Sequence, residues 1–238
     1  ASEIYVRNKG RMCDNVGILS RTIRLPESAT QEELEAEIDS LNADSAVTGV
    51  LVQLPLPKHM DESRALARIL PEKDVDGFTP VNVGRMVIDE PCFLPCTPHG
   101  IIKLIETTGM DVSGKHVVVI GRSNIVGKPV ALLLARKGAH ANATVTLCHT
   151  GTPDVSLYTR QADVVVVAAG RPDTLKGEML KPGAVVIDVG VNRVPDASRP
   201  TGYRLCGDAD FDIVGLSAAD YPELPFVEDE YCVAIQQK

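Results

Sequence analysis

Short apolar runs alternate with amphipathic segments along most of the chain. Residues 47–54 are rich in Val and Leu and end at a proline, which is typical of a buried strand. Residues 29–41 carry apolar positions at helical spacing, with Thr30 as an N-cap and Glu33 at the capping-box position. Strand and helix therefore follow one another, as they do in parallel α/β sheets.

The rest of the first hundred residues continues this alternation and then loses it. The pattern predicts a helix over residues 2–16, a strand over 18–25 and a helix over 61–70. Residues 72–98 contain several prolines and little periodicity, so they are predicted to be loop. A connecting helix is predicted over residues 100–108.

From Lys115 onward the alternation resumes as a second α/β unit. The predicted strands are 117–120, 143–148, 164–168 and 184–189, and the predicted helices are 125–137 and a turn near 157–162. A domain boundary is expected near residues 96–110. Residues 215–238 are acidic, have no clear period and are left unassigned.

Composition excludes several classes of protein. A formal net charge of −8 over 238 residues argues against a nucleic-acid binder, which normally has a basic face. No apolar run approaches the roughly 18–20 residues of a membrane span. The six cysteines form no CxxC pair, so reduced thiols are expected rather than a zinc site or a disulfide framework. The expected location is cytoplasmic, with an organelle left open because the chain starts at Ala1 without Met.

Residues 117–127 have the features of a phosphate-binding turn. A buried strand leads into a turn at Gly121, and a helix opens at Ile125. Gly121 would allow the tight turn and Gly127 close packing of helix on strand, while Ser123 stands where a GxGxxG fingerprint has its second glycine. A strand–turn–helix without a ligand remains an alternative.

The end of the next strand favours NADP over NAD. NAD-binding units place an acid there to bond the ribose 2′-hydroxyl. This chain has His149 and Thr150, and no acid before Asp154. Together with Arg122, these two residues could hold a 2′-phosphate.

Two further strand ends fit a cofactor site. Gly170 and Val191 each follow a predicted strand, at the edge where open α/β sheets bind ligands. The alternative is that the glycines in these segments only form tight turns.

Candidate chemistry in the first half rests on three positions. Tyr5 and Lys9 are four residues apart on a predicted helix and therefore share a face, where an aromatic wall could partly desolvate the amine for acid–base work. A solvated surface lysine is the alternative. Gln53 ends an apolar strand just before a proline-stiffened turn, a position suited to contact with a ligand.

Asp74 and Asp76 alternate about Val75, so at least one of the two can point inward. Paired carboxylates can hold a metal, but no His or third acid lies close in sequence, and no metal is predicted. A solvated loop is the alternative for this pair.

Six segments, in order, resemble the bifunctional methylenetetrahydrofolate dehydrogenase/cyclohydrolase family over roughly residues 2–210. They are residues 2–9 (an SxxYxxxK helix), 52–57 (VQLPLP), 71–77 (PEKDVDG), 95–98 (PCTP), 121–129 (GRSNIVGKP) and 181–190 (KPGAVVIDVG). The family itself carries serine at the position of Ser123.

The resemblance implies two reactions in one cleft. NADP takes a hydride from 5,10-methylenetetrahydrofolate, and water then opens the methenyl product to 10-formyltetrahydrofolate. Lys9 would be the general acid/base, Tyr5 would stack on the folate, Gln53 would tune Lys9, and Asp76 would hold the pterin. The residues expected to bind the cofactor are Thr97, Gly121, Arg122, Ser123, Ile125, His149, Thr150, Gly170 and Val191.

The implied fold is α/β, with two α/β domains and a cleft between them. Residues 1–98 would be the folate-binding catalytic domain, lacking the family's N-terminal strand and helix. Residues 99–214 would be a Rossmann-like NADP-binding domain through which a homodimer forms.

The family carries a proline- and glycine-rich segment after Gly207 and Asp208, and then a helix that returns to the catalytic domain. Residues 215–238 do not match it. Two hypotheses follow: an active enzyme, or an NADP-binding relative without folate turnover that acts as a binding or regulatory protein or is a defective variant.

Overall fold

The computed structural model describes residues 2–210 and 233–236, with backbone alone at 2–5 and 233–236. The chain divides into two compact units. The first contains the described residues up to Arg85 together with Pro91–Leu94, and the second contains Met86–Glu90 and the described residues from Pro95 onward. Within the described ranges, no helix is both long and apolar enough to cross a membrane.

Helices dominate the first unit. They are α1 (Ser2–Val16), α2 (Gln31–Ala43), α3 (Glu62–Arg68) and α4 (Pro80–Val87), the last of which ends beyond Arg85. The predicted capping box of α2 is confirmed: the Glu33 N–H donates to Thr30 Oγ1 at 3.2 Å and the Thr30 N–H to Glu33 Oε2 at 2.8 Å. Asp61 caps α3 in a similar way, accepting from the Arg64 N–H at 3.0 Å.

The two strands predicted in this unit are wrong. Residues 18–25 form no strand, and Leu19 is 99% exposed. Residues 47–54 contribute only an isolated parallel bridge between Val50 and Asp74. A strand needs a neighbour for its N–H and C=O groups, and an apolar pattern does not reveal whether that neighbour is present.

The apolar pattern of residues 47–54 still predicts burial correctly. Val50 and Val52 pack with residues of α2 and α3 in a small core whose buried members are Ile38, Val50, Val52, Ala65 and Ile69. Next to it, the Lys73 ammonium donates to the carbonyls of Leu41, Asn42 and Asp44 at 2.9, 2.8 and 2.7 Å. Lys73 therefore satisfies carbonyl groups that the end of α2 leaves open.

The second unit is built on a sheet, as predicted. Its elements are α5 (Cys96–Thr107), β1 (His116–Ile120), α6 (Gly127–Ala135), β2 (Thr144–Cys148), α7 (Ser156–Thr159), β3 (Val164–Val167), a 3₁₀ turn (Gly177–Met179), β4 (Val185–Asp188), β5 (Asn192–Pro195), β6 (Tyr203–Cys206) and β7 (Val233–Gln236). Strands β1 to β4 match the four predicted strands to within a residue or two.

The sheet has the order β2-β1-β3-β4-β7. The first four strands are parallel, and β7 lies antiparallel to β4. Every residue of β3 and β4 is buried, which explains why their sequences are continuous apolar runs rather than alternating ones. Because β1 lies between β2 and β3, its carboxyl end is where the strand order reverses, and this is where open α/β sheets bind ligands.

Two features of the structure were not predicted. Residues 72–98 are not all loop: α4 begins at Pro80, and Pro98 lies in the first turn of α5. Proline is tolerated in a first helical turn because its missing N–H would have no intrahelical partner there. The β5–β6 hairpin was also missed, because its strands mix polar and apolar residues; Arg193 stacks 4.8 Å from the centre of the Tyr203 ring.

Candidate functional site

In the first unit, the structure pairs Lys9 with Gln53. The Lys9 Nζ donates to Gln53 Oε1 at 3.3 Å, across 44 positions of sequence. The Gln53 amide is itself oriented, because its Nε2 donates to the Leu54 carbonyl at 2.9 Å and so directs its oxygen toward the amine. Lys9 is exposed, but its hydrogen bond to Gln53 is a specific side-chain contact that a simply solvated surface lysine would not make.

The structure distinguishes the two carboxylates of the 74–76 segment. Asp74 is 1% exposed and accepts from the Phe78 N–H at 3.2 Å, the Thr79 N–H at 2.8 Å and the Asn82 Nδ2 at 2.9 Å. These bonds close the turn that carries Asp76. Asp74 is therefore a buried structural acceptor, and the solvated-loop alternative is wrong for it.

Asp76 occupies a different environment and is only partly buried. Burial raises the pKa of its carboxyl, the Lys9 ammonium lowers that pKa in part, and the Asp74 carboxylate raises it further. Within the first unit, Lys9 therefore hydrogen-bonds Gln53 and interacts electrostatically with Asp76. Tyr5 lies one turn before Lys9 in α1, and its side chain lies outside the described residues.

In the second unit, the turn after β1 depends on two glycines. Gly121 has φ +122°, and a Cβ on it would overlap the Ala168 carbonyl. A Cβ on Gly127 would overlap the Gly121 carbonyl and lie 2.6 Å from the Gly121 carbonyl carbon. The start of α6 therefore approaches the turn closely, as a phosphate-binding strand–turn–helix requires.

Ser123 explains why this turn departs from the glycine fingerprint. Its hydroxyl oxygen accepts from the Val126 N–H at 3.1 Å and from the Gly127 N–H at 3.4 Å. A side chain at this position therefore caps the start of α6, which a glycine cannot do. Arg122 and Ile125, on either side of the cap, are exposed at the same edge of the sheet.

His149 and Thr150 follow β2 at the neighbouring strand end. The His149 Nδ1 accepts from the Gly151 N–H at 3.0 Å, so in the neutral ring the proton lies on Nε2. The Thr152 Oγ1 accepts from the His149 N–H at 3.0 Å and fixes the backbone there. The histidine therefore presents an N–H donor, and Thr150 is exposed beside it, which suits a phosphate.

The remaining candidates occupy similar positions. Gly170 follows β3 with φ +67°, and Val191 follows β4 and is 47% exposed. Thr97 is exposed in the first turn of α5, a helix that does not follow a strand of the sheet. The structure thus places the candidates other than Thr97 after four adjacent strands at one edge of the sheet.

Two buried aspartates at this edge were not chosen from the sequence. Asp188, the last residue of β4, accepts from the Gly190 N–H at 2.8 Å, the Asp208 N–H at 3.0 Å and the Ala209 N–H at 2.9 Å. Burial raises the pKa of the Asp188 carboxyl despite these bonds. Asp208 is fully buried and binds the backbone after β3. No local pattern marks either residue, because apart from Gly190 their donors are distant in sequence.

Comparison with known proteins decides the family. Residues 1–76 match the tetrahydrofolate dehydrogenase/cyclohydrolase catalytic domain, and residues 95–221 match the NAD(P)-binding domain of the same family. The chain belongs to the tetrahydrofolate dehydrogenase/cyclohydrolase family. The predicted family and the two-domain α/β class are confirmed.

Similar proteins include bifunctional members of this family. The bifunctional protein FolD of Bacillus cereus is 55% identical over 221 residues, which cover 93% of this chain and 73% of that protein. FolD of Chloroherpeton thalassium is 49% identical over 227 residues, 94% of this chain and 77% of that protein.

Solved structures agree with these matches. The bifunctional enzyme FolD from Campylobacter jejuni superposes with a TM-score of 0.82 at 46% identity, covering 89% of this chain and 72% of that one. The methylenetetrahydrofolate dehydrogenase-cyclohydrolase of Trypanosoma brucei, solved with NADP cofactor and an inhibitor, gives 0.83 at 44% identity, covering 89% and 71%.

Proposed function

We propose that this member of the family oxidises 5,10-methylenetetrahydrofolate with NADP and hydrolyses the methenyl product to 10-formyltetrahydrofolate. The observation that carries the proposal is the hydrogen bond from the Lys9 amine to the oriented Gln53 amide, with Asp76 close by. This group lies in a segment that matches a tetrahydrofolate dehydrogenase/cyclohydrolase catalytic domain at residues 1–76. Bifunctional relatives at about half identity support both activities.

The residues at the sheet edge fit NADP. When bound, the nicotinamide supplies the hydride acceptor. Gly121 lets the turn lie directly against the Ala168 carbonyl, and α6 begins just after this turn, so the positive end of the helix dipole lies beside it. Arg122, His149 and Thr150 offer a guanidinium, an N–H and a hydroxyl to a 2′-phosphate, with no carboxylate at the end of β2 to repel it. The T. brucei relative with bound NADP supports the same choice.

Lys9 is proposed to act as general acid and base in the hydrolytic step. Gln53 positions the Lys9 amine by accepting a hydrogen bond from it, and the Leu54 carbonyl fixes the orientation of the Gln53 amide. Asp76 is proposed to bind N–H groups of the pterin, and its partial burial strengthens hydrogen bonds to it. Tyr5, one helical turn from Lys9, is proposed to stack on the folate.

The direct test is turnover by the unaltered protein. It is incubated with methylenetetrahydrofolate and NADP, and near-ultraviolet absorbance reports NADPH and the methenyl product. We expect both signals to rise and the methenyl signal then to decay as 10-formyltetrahydrofolate forms. NADP binding without turnover would instead establish the alternative, a binding or regulatory relative that has lost folate chemistry.

A lysine variant tests the role of Lys9. We expect Lys9→Met to abolish hydrolysis of methenyltetrahydrofolate, because Lys9 is the residue proposed to transfer protons in that step and methionine cannot replace it. Lys103→Met is the matched control: this lysine pairs with Glu106 at 2.9 Å on α5, and its loss should leave hydrolysis unchanged. Full hydrolytic activity in Lys9→Met would show that the assignment is wrong.

Assembly and location are also proposals. We propose a homodimer formed through the cofactor domain, on the basis of the family resemblance alone, and light scattering across a dilution series tests it. The cytoplasmic location expected from the sequence is tested by cell fractionation.

A further inference from the structure

Asp208 connects two loops at the cofactor edge of the sheet. Its Oδ2 accepts from the Ala169 N–H at 2.6 Å and from the Gly170 N–H at 2.8 Å, both just after β3. Its Oδ1 accepts from the Asn192 Nδ2 at 2.7 Å, just after β4. The carboxylate is completely buried, so water does not compete for these bonds.

The site requires a carboxylate. Each of its three neighbours is a donor, and an ionised carboxylate only accepts. An asparagine has one oxygen and one NH₂ group. Its NH₂ would face either the backbone N–H groups of Ala169 and Gly170 or the side-chain NH₂ of Asn192, so two donors would point at each other. The fit is also tight, because a Cβ on Gly190 would overlap the Asp208 carboxylate.

The three hydrogen bonds to Asp208 lie at the edge of the sheet formed by the carboxyl ends of its parallel strands. Asp163 makes a comparable link at the opposite edge, where it accepts from the His116 N–H at 2.9 Å and from Lys181 Nζ at 2.6 Å. Both aspartates hold neighbouring parts of the sheet together. Only Asp208 holds segments that follow the carboxyl ends of β3 and β4, where ligands sit in such sheets.

We propose that Asp208 is a positioning residue for the cofactor: it fixes the backbone of residues 169–170 and, through Asn192, that of residues 190–192 in the arrangement that receives NADP. This inference rests on the proposed function. Asp208 does not touch the reacting atoms in this proposal. It acts by lowering the freedom of two loops that the cofactor would otherwise have to order on binding.

The test compares Asp208→Asn with Asp163→Asn. NADPH binding is followed by the fluorescence of the nicotinamide, which tryptophan does not obscure because the chain has none. For Asp208→Asn we expect the Kd for NADPH and the KM for NADP to rise about tenfold, the size of one lost charge-assisted hydrogen bond. We expect kcat at saturating NADP to change less than about threefold, because binding rather than chemistry is affected. Asp163→Asn should lower Tm while leaving NADPH affinity unchanged.

Each outcome has one meaning. A folded Asp208→Asn protein with unchanged NADPH affinity overturns the inference and leaves the proposed function intact. An equal affinity loss in both variants also overturns it, because the effect would then be general destabilisation. If Asp208→Asn fails to fold, Asn192→Ala removes the third bond together with the bond from Asn192 Nδ2 to the Gly207 carbonyl, and it leaves the bonds to Ala169 and Gly170 in place. The inference then requires a smaller loss of NADPH affinity in that variant, and an unchanged affinity would overturn it. An unaltered protein that does not bind NADPH overturns the proposed function and this inference together.

Discussion

The close approach of α6 to the turn after β1 can be tested by making the same glycine-to-alanine substitution in each of two neighbouring helices. Gly127 opens α6 and Gly100 lies in α5, and both belong to the second unit. A Cβ at Gly100 meets nothing within 4 Å. A Cβ at Gly127 overlaps the Gly121 carbonyl oxygen, and it lies 2.6 Å from the Gly121 carbonyl carbon and 3.0 Å from the Arg122 nitrogen. The same substitution should therefore have opposite effects.

The contacts determine the magnitudes. Restoring an ordinary carbon–carbon contact requires α6 and the turn to separate by about 1 Å. Overpacking of this kind costs about 1–3 kcal/mol, and the obstacle at Gly127 is backbone, which cannot rotate away. Because that obstacle is backbone, the cost should lie at the upper end, about 3 kcal/mol. A helix-propensity gain of at most about 1 kcal/mol then leaves a net loss of about 2 kcal/mol for Gly127→Ala. Gly100→Ala should gain about 0.5–1 kcal/mol.

Thermal unfolding followed by circular dichroism measures both changes. At about 2–4 °C per kcal/mol for a chain of this size, Gly127→Ala should lower Tm by about 4–8 °C and Gly100→Ala should raise it by about 1–4 °C. Because Arg122 follows the displaced turn, Gly127→Ala should also raise the KM for NADP, whereas Gly100→Ala should not. A Gly127→Ala protein as stable as the unaltered one would refute the close approach of α6 to the turn.

Three further predictions follow from named contacts. Gln53→Ala removes the acceptor 3.3 Å from the Lys9 Nζ, so cyclohydrolase kcat should fall about tenfold and dehydrogenase kcat less; equal losses in steady-state assays would contradict the pairing. Asp74→Ala leaves buried donors without an acceptor and should cost about 3 kcal/mol in urea unfolding, so a loss below about 1 kcal/mol would count against its structural role. The hydrogen bond from Lys181 holds the pKa of Asp163 below its usual value, so this carboxylate stabilises the fold at neutral pH and loses that effect as pH falls through its lowered pKa. The Tm gap between the unaltered protein and Asp163→Asn should be constant above about pH 5 and shrink toward about pH 3; a gap that does not change with pH would contradict this.

The sheet of the second unit could be predicted because its signal is local. The four valines of β3 are all fully buried, and a short apolar run bounded by a charge and a glycine is enough to mark such a strand. In the first unit, the same kind of signal at residues 47–54 identified burial but not pairing. Pairing depends on a second segment, and among the residues that the structure describes only the Val50–Asp74 bridge provides one.

Contacts between distant residues explain what the sequence could not reveal about the site. Alternation about Val75 implied that one carboxylate points inward, but which one depends on donors at residues 78–82. The Lys9–Gln53 pair spans 44 positions, so only the family resemblance connected the two residues. Asp208 was missed because its backbone donors lie 38 and 39 positions earlier.

The three carbonyls around Lys73 separate it chemically from Lys9. The Lys73 Nζ donates to three backbone carbonyls at the end of α2, so a reagent can reach this amine only by displacing those bonds. Lys9 is exposed and has a side-chain amide as its acceptor. Amine-directed covalent labelling read by mass spectrometry should therefore modify Lys9 well before Lys73, and a folate held against α1 should shield Lys9 from the reagent.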